Sequence, residues 1–346
     1  MKLSLPCCVV IIIVLALLAA CYAYPDEMDN LHIYGDIYGF DTAALETVPA
    51  RSLPPDSCLP DEAPVAEMPA DTHPPAYLTA MNRALGWIRE INPDPQVGSV
   101  GGEWAVIAFA RAGVDDDAWF QKYLASLDDA LTGYGGRIER MTDYARITLA
   151  LTALGLDASD HNGHDFTAPL RIFTPHEDRA HYNRAINADI FALIALDSNL
   201  YDGDRTAYIE AILAAEAPDG GWGLSGNATP EITAMAITAL APYYDTDGYV
   251  RAAIGRAIQL IGGRQMRDAE SNAQMIVALS ALGRDAGAFV HVLLTFQDPE
   301  TGAFKRGESL NMMATEQAAY ALAAYYRFLS GENRLYDMSD ALSFGG

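Results

Sequence analysis

Carboxylates and carboxamides recur at a fixed place in this chain. Asp143, Asp189, Glu231, Gln274 and Glu316 follow one another at intervals of 46, 42, 43 and 42 residues, and Glu103 lies 40 residues before the first. Each opens a run of apolar and small residues, with Asn187 and Gln317 beside two of them. If those runs are helices laid side by side in one direction, their N-termini converge, each worth roughly half a positive charge. Polar side chains there can cap the helices or form the partly acidic rim of a ligand pocket, and the two roles are compatible. The candidates for lining such a mouth are Trp104, Asp143, Tyr144, Asn187, Asp189, Glu231, Gln274, Glu316 and Gln317. A carboxylate pair across it, drawn from Asp143, Asp189, Glu231 and Glu316, could also serve glycosidic cleavage.

Other chemistries find less support. His161, His164, His176 and His181 lie among Asp160, Asp165, Glu177 and Asp178. They are the only candidate metal ligands, but their spacing is not that of a helix-borne His-Glu-X-X-His site. An exposed polar insertion at one rim is the expected reading, with no metal and no required cofactor. A zinc-bound thiolate needs a cysteine, and none follows Cys58. Carbocation chemistry needs an acid and an aromatic wall. Trp104, Phe109, Tyr144 and Phe191 are offered by early helices, while 232–240 and 273–282 carry no aromatic. Asp115, Asp116 and Asp117 follow Gly113 and read as the start of a solvent-facing helix. No catalytic residue is assigned.

The elements that must position these residues are helix pairs. First helices are expected at 77–91, 115–131, 166–173, 205–216, 249–261 and 286–296, amphipathic as a solvent-facing layer should be. Second helices are expected at 103–112, 142–154, 187–196, 229–240, 271–282 and 312–328. They are apolar nearly all round and rich in Ala, Thr and Ser, so they must be buried on every side. A repeat of this period made of paired helices, with the second members buried, predicts an all-α fold. Its expected form is an α/α toroid of six helical hairpins with an inner and an outer ring.

The turn Glu216-Ala-Pro-Asp-Gly-Gly-Trp222-Gly resembles the glutamine–tryptophan repeat of squalene cyclases and prenyltransferases, with Glu216 where Gln is usual. A second copy runs from Phe296-Gln297 to Gly302-Ala-Phe304, with Phe304 in place of Trp. The resemblance covers about residues 77 to 330 and implies a terpenoid cyclase-like toroid in which these turns are structural. The stretches 97–105, 194–198, 314–317 and 334–340 look like those of bacterial surface proteins carrying this repeat. That likeness extends distantly to the α-domain of cobalamin carriers such as transcobalamin, which makes a corrinoid a possible ligand. The small β-domain of such carriers does not follow before Gly346, and this counts against a complete corrinoid clamp.

The N-terminus reads as an export signal. Residues 7–20 are apolar and too short to span a bilayer comfortably. They end in Leu18-Ala19-Ala20-Cys21, which resembles a bacterial lipoprotein signal and makes Cys21 the lipidation candidate, with cleavage near Ala23 as the rival. The expected organisation is therefore a signal over 1–21, a disordered, acidic, Pro-rich tether over 22–76 and the toroid over 77–346. Cys58 alone remains after Cys21, so no disulfide framework is expected. With 46 acidic against 22 basic residues, net −24, the chain repels polyanions, and nucleic acid is not expected as a partner.

Taken together, the sequence predicts an exported, lipid-anchored protein of the cell envelope. Its expected role is that of a non-catalytic module binding a small molecule or a cell-surface component. The alternative is an enzyme, either of the terpenoid cyclase/prenyltransferase superfamily or a glycan-cleaving toroid.

Overall fold

The polar residues ahead of the apolar runs act as helix starts. Asp204, Asp268 and Asn311 accept from the backbone N–H three residues on, at 3.1, 2.7 and 2.9 Å, and Thr229 does so at 3.4 Å. In this computed structural model the described residues are 74–98, 100–133, 138, 140–174, 186–262 and 266–341. The signal, Cys21, Cys58, the tether up to residue 73, and His176 and His181 lie outside them.

Among the described residues the chain is mostly helical, with almost no strand. The helices are α1 (Ala76–Ile91), α2 (Glu103–Arg111), α3 (Asp117–Gly133), α4 (Met141–Ala153), α5 (Ala168–Arg171) and α6 (Ile186–Ser198), followed by α7 (Arg205–Ala214), α8 (Pro230–Leu240), α9 (Gly248–Gly262), α10 (Ala269–Ala281), α11 (Gly287–Leu294) and α12 (Met312–Ser330). The expected bounds hold to within two residues at each end of every helix, though at α5 this leaves a single turn where a segment of about eight residues was expected. None of the described helices is long and apolar enough to cross a membrane.

The two helix classes differ in burial as their composition requires. In α1 one stripe is buried, made of Ala80, Met81, Ala84, Leu85 and Ile88. Every residue of α10 is buried, and in α6 only Asp197 is not fully so. Small residues let such helices approach closely: Ala273, Ala278, Ala314, Ala318 and Ala321 have no exposed surface. The buried helices pack in succession, α2 on α4, α4 on α6, α6 on α8, α8 on α10 and α10 on α12; α12 in turn packs on α2. The amphipathic helices lie against them, α1 on α12, α7 on α6, α9 on α8 and α11 on α10.

The two related turns perform matching jobs. Trp222 is fully buried; its indole N–H donates to Ile212 O at 2.6 Å and its backbone N–H to Thr233 Oγ1 at 2.9 Å. Phe304 repeats the second bond with Thr315 Oγ1 at 2.9 Å. Each turn also touches the amphipathic helix of another pair. Gln297 Nε2 donates to Ala80 O on α1 at 2.9 Å, and Arg83 Nη2 donates to Pro299 O at 2.6 Å. Glu216 cannot donate as Gln297 does. It binds the Arg256 guanidinium of α9 through both oxygens, each at 2.6 Å.

A small hairpin, β1 (Lys305–Arg306) with β2 (Ser309–Leu310), was not foreseen. Strands of two residues show no period, and the turn is set by Gly307 at φ +60°.

The close approach of turn to helix needs glycine at Gly302. Its φ is +86°, and an added Cβ would lie 2.7 Å from Arg83 Cβ and 3.0 Å from Arg83 O. Gly307 also has a positive φ but open space around it. Gly307→Ala is therefore expected to cost about 1 kcal/mol, and Gly302→Ala at least about 2 kcal/mol more, since packed backbone must shift. Urea denaturation of the two variants checks the difference, and equal losses would refute this account of the turn.

Candidate functional site

The site begins with a glycine loop. The chain around Gly98 and Gly101 folds over the N-terminus of α2, where Gly98 N–H donates to Glu103 Oε1 at 2.7 Å and Gly101 N–H to Glu316 Oε2 at 2.7 Å. Two carboxylates from adjoining helices, α2 and α12, thus hang from one loop. Both are about 1% exposed.

Arg146 on α4 supplies the positive charge, with Nη2 at 2.5 Å from Asp143 Oδ1. The Tyr123 hydroxyl is close enough to feel the Glu103 carboxylate, yet neither it nor Glu103 Oε2 makes a hydrogen bond of ordinary geometry. Burial pushes Glu316 up to about 8, helped by the neighbouring charge of Glu103 and opposed by the Gly101 N–H and Arg146. Burial also raises Glu103, against the pull of Arg146 and the Gly98 N–H. Arg146 is held above its ordinary value by the surrounding acids despite its own desolvation. Glu316 is accordingly protonated at neutral pH, which spares the interior a second buried negative charge.

A second cluster is neutral. Trp104 lies 5.2 Å from Phe191 of α6 and 6.0 Å from Tyr320 of α12, measured between ring centres. Gln274 Nε2 donates to Gln317 Oε1 at 3.0 Å and to the Tyr320 hydroxyl. Trp104 and Tyr144 remain partly exposed, while Asn187, Gln274 and Gln317 are buried to 4–6% exposure. The outcome is one partly exposed indole backed by the buried rings of Phe191 and Tyr320 and by buried carboxamides.

The candidates named from the sequence therefore separate into groups. Asp143 and Glu316 share the ionic cluster, and Trp104, Gln274 and Gln317 share the neutral one. Glu231 stands apart, accepting from Ser271 Oγ, which also donates to Asp268. Tyr144 packs toward Phe166 at 6.5 Å. Asp189 is fully buried, so neither it nor Glu316 offers a carboxylate at the rim. Glu103, Arg146, Tyr123 and Tyr320 complete the clusters but were not among those candidates. Glu103 stands in the same repeat register as the others, which was the signal available; the remaining three follow no register.

The histidines divide likewise. His161 and His164 pair through their backbones, and His161 Nε2 lies 3.7 Å from Asp128 Oδ1. Burial lowers the affinity of His161 for a proton. Among the described residues no group of three or more ligating side chains gathers around them. Asp116 caps α3 by accepting from Trp119 N–H and pairs with Arg89, as a helix start would.

No protein-family model matches the chain, and no curated protein matches it significantly.

Glu316 gains a proton on folding, since its ordinary value is 4.5 and its folded value about 8. Its contribution to stability is complete below about pH 4.5 and is lost as pH rises to about 8, at up to about 1.4 kcal/mol per pH unit. Glu103 adds in the same direction. Glu316→Gln keeps an acceptor for Gly101 N–H and should flatten this decline. Chemical denaturation between pH 5 and pH 8, about the window just given, checks it; an unchanged slope in the variant would contradict the assignment.

Proposed function

We propose that the described helices form an α/α toroid of six hairpins, and that the protein is an exported, lipid-anchored module binding a small, uncharged ligand at the mouth formed by its inner helices. The closed succession of contacts from α2 through α12 and back to α2 supports the architecture. The capped starts of α8, α10 and α12 at corresponding repeat positions support one shared direction for the inner helices. Export and anchoring rest on the sequence ending in Cys21.

The observation that carries the ligand reading is the partly exposed Trp104, braced by Phe191 and by Tyr320, whose hydroxyl accepts from the Gln274 carboxamide. Ring faces with carboxamides suit a flat or cyclic ligand bearing amide or hydroxyl groups. A corrinoid is one such molecule, and a neutral oligosaccharide is another. The charged side chains nearby are already engaged: Asp143 is paired with Arg140 and Arg146, and Glu316 is buried.

The glycan-cleaving alternative has one observation in its favour, a buried pair of acids one of which is protonated at neutral pH. Both carboxylates are held by loop N–H groups beneath the surface, where a glycosidic oxygen has no route to them. The pair is better suited to joining α2 to α12.

Tryptophan fluorescence titrated with a corrinoid panel and with neutral oligosaccharides tests the proposal. A ligand should quench the parent protein, and Trp104→Ala should weaken its binding at least about tenfold, the worth of a well-packed aromatic contact. Binding unaffected by that change would move the site elsewhere, and turnover of an oligosaccharide would favour the enzyme. Anchoring is tested separately: Cys21→Ser should shift the protein from the detergent phase to the aqueous phase in partitioning experiments.

A further inference from the structure

A concavity lies at the C-terminal ends of α4 and α6. It has a volume of about 450 Å³ and is bounded by the last turn of α4, the segment after α6, and the stretch of chain around Met338. We propose that this cleft docks an extended peptide segment of a partner protein, one that carries a lysine or arginine next to an aliphatic side chain.

Three observations carry the inference. The walls include the carboxylates of Asp157 and Asp202, both on exposed residues, with the hydroxyls of Ser159 and Ser339 between the same boundaries. The cation in the wall, Arg171, is committed to Asp165 at 2.7 Å and to Thr167 Oγ1 at 2.8 Å. The lining is therefore net negative in a chain that is itself −24, and it attracts cations.

The rim is apolar. Leu200 lines the cleft and is 80% exposed, and Ile172, next to Arg171, is 73% exposed; these are the two most exposed large hydrophobic residues among those described. Asp204 N–H donates to Arg171 O at 3.0 Å, which holds the two rim segments beside each other. A cationic head with an aliphatic neighbour fits an acidic cleft with an aliphatic lip.

A sugar fits less well, because the aromatic ring in the wall gives it no platform. Tyr201 is only 9% exposed, and its hydroxyl is taken by Thr152 Oγ1 at 2.9 Å and by Ala158 N–H at 3.2 Å. A polyanion is repelled.

The probe is the fluorescein-labelled peptide Leu-Lys-Leu-Lys-Leu-amide, with Leu-Glu-Leu-Glu-Leu-amide as its charge-reversed control, followed by anisotropy on the full chain. The lysine peptide should bind, and more weakly as salt rises from about 50 to about 300 mM. Asp157→Asn with Asp202→Asn should weaken binding at least about fivefold, and Leu200→Ser about threefold. The amide introduced by Asp157→Asn keeps an acceptor oxygen for Ser159, so the local turn survives, and melting temperature verifies this. Trp104→Ala should leave the peptide affinity unchanged, which separates this cleft from the mouth. No binding at about 1 mM peptide, equal binding of the glutamate peptide, full affinity in the doubly neutralised variant, or displacement by a neutral oligosaccharide would each overturn the proposal.

Discussion

The fold depends on joining parts of the chain that are far apart in sequence. Gly101 N–H reaches Glu316 across 215 residues, and Gln297 reaches Ala80 across 217. Bringing such ends together costs on the order of 5 kcal/mol in chain entropy, taking (3/2)RT ln n alone. A hydrogen bond to a charged group contributes about 1.5–3 kcal/mol and a neutral one about 1, so no single bond can hold the join. The structure uses several. Arg83 donates to Pro299 O, Arg111 Nη1 to Asp340 at 2.8 Å, and Arg327 binds both Asp340 and the Arg111 carbonyl. Packing of α12 on α1 and α2 adds the apolar share.

This join explains why charge is buried in an otherwise apolar interior. Glu103, Glu316 and Arg146 come from three helices, and each would be costly alone. The loop N–H groups and the opposite charge make the cluster tolerable, and protonation of Glu316 completes the balance. At the other ends of the same helices, Arg111 and Arg327 meet the carbonyl ends of α2 and α12, where positive charge is favoured. The segment 334–340 wraps over them: Arg111 Nη2 donates to Asp337 O at 2.9 Å, and Met338 N–H donates to Ser198 O at 2.8 Å. That arrangement gives a physical meaning to the 194–198 and 334–340 stretches, which in sequence were only resemblances.

The two ends of the buried helices therefore differ in kind. Near the helix starts Trp104 and Tyr144 are partly exposed, while the carboxamides of Gln274 and Gln317 and the carboxylates of Glu103 and Glu316 are buried. Near the helix ends the exposed chemistry is acidic and aliphatic, because Asp157 and Asp202 belong to loops that no buried helix has to recruit.

What the sequence determined was what composition and period can carry. The buried helices were legible because a segment such as 271–282 is apolar nearly all round, and the amphipathic ones because their apolar residues keep to one stripe. Capping at Thr229 was legible because it is local. Tertiary structure alone decided which polar residues meet. Trp104 and Phe191 are 87 positions apart, Gln274 and Tyr320 are 46 apart, and the choice of Glu316 rather than Asp143 as the acid that meets the glycine loop depends on α12 lying against α2. Side-chain contacts across helices follow from packing and not from spacing along the chain, so Arg146, Tyr123 and the acidic cleft carried no mark in the sequence.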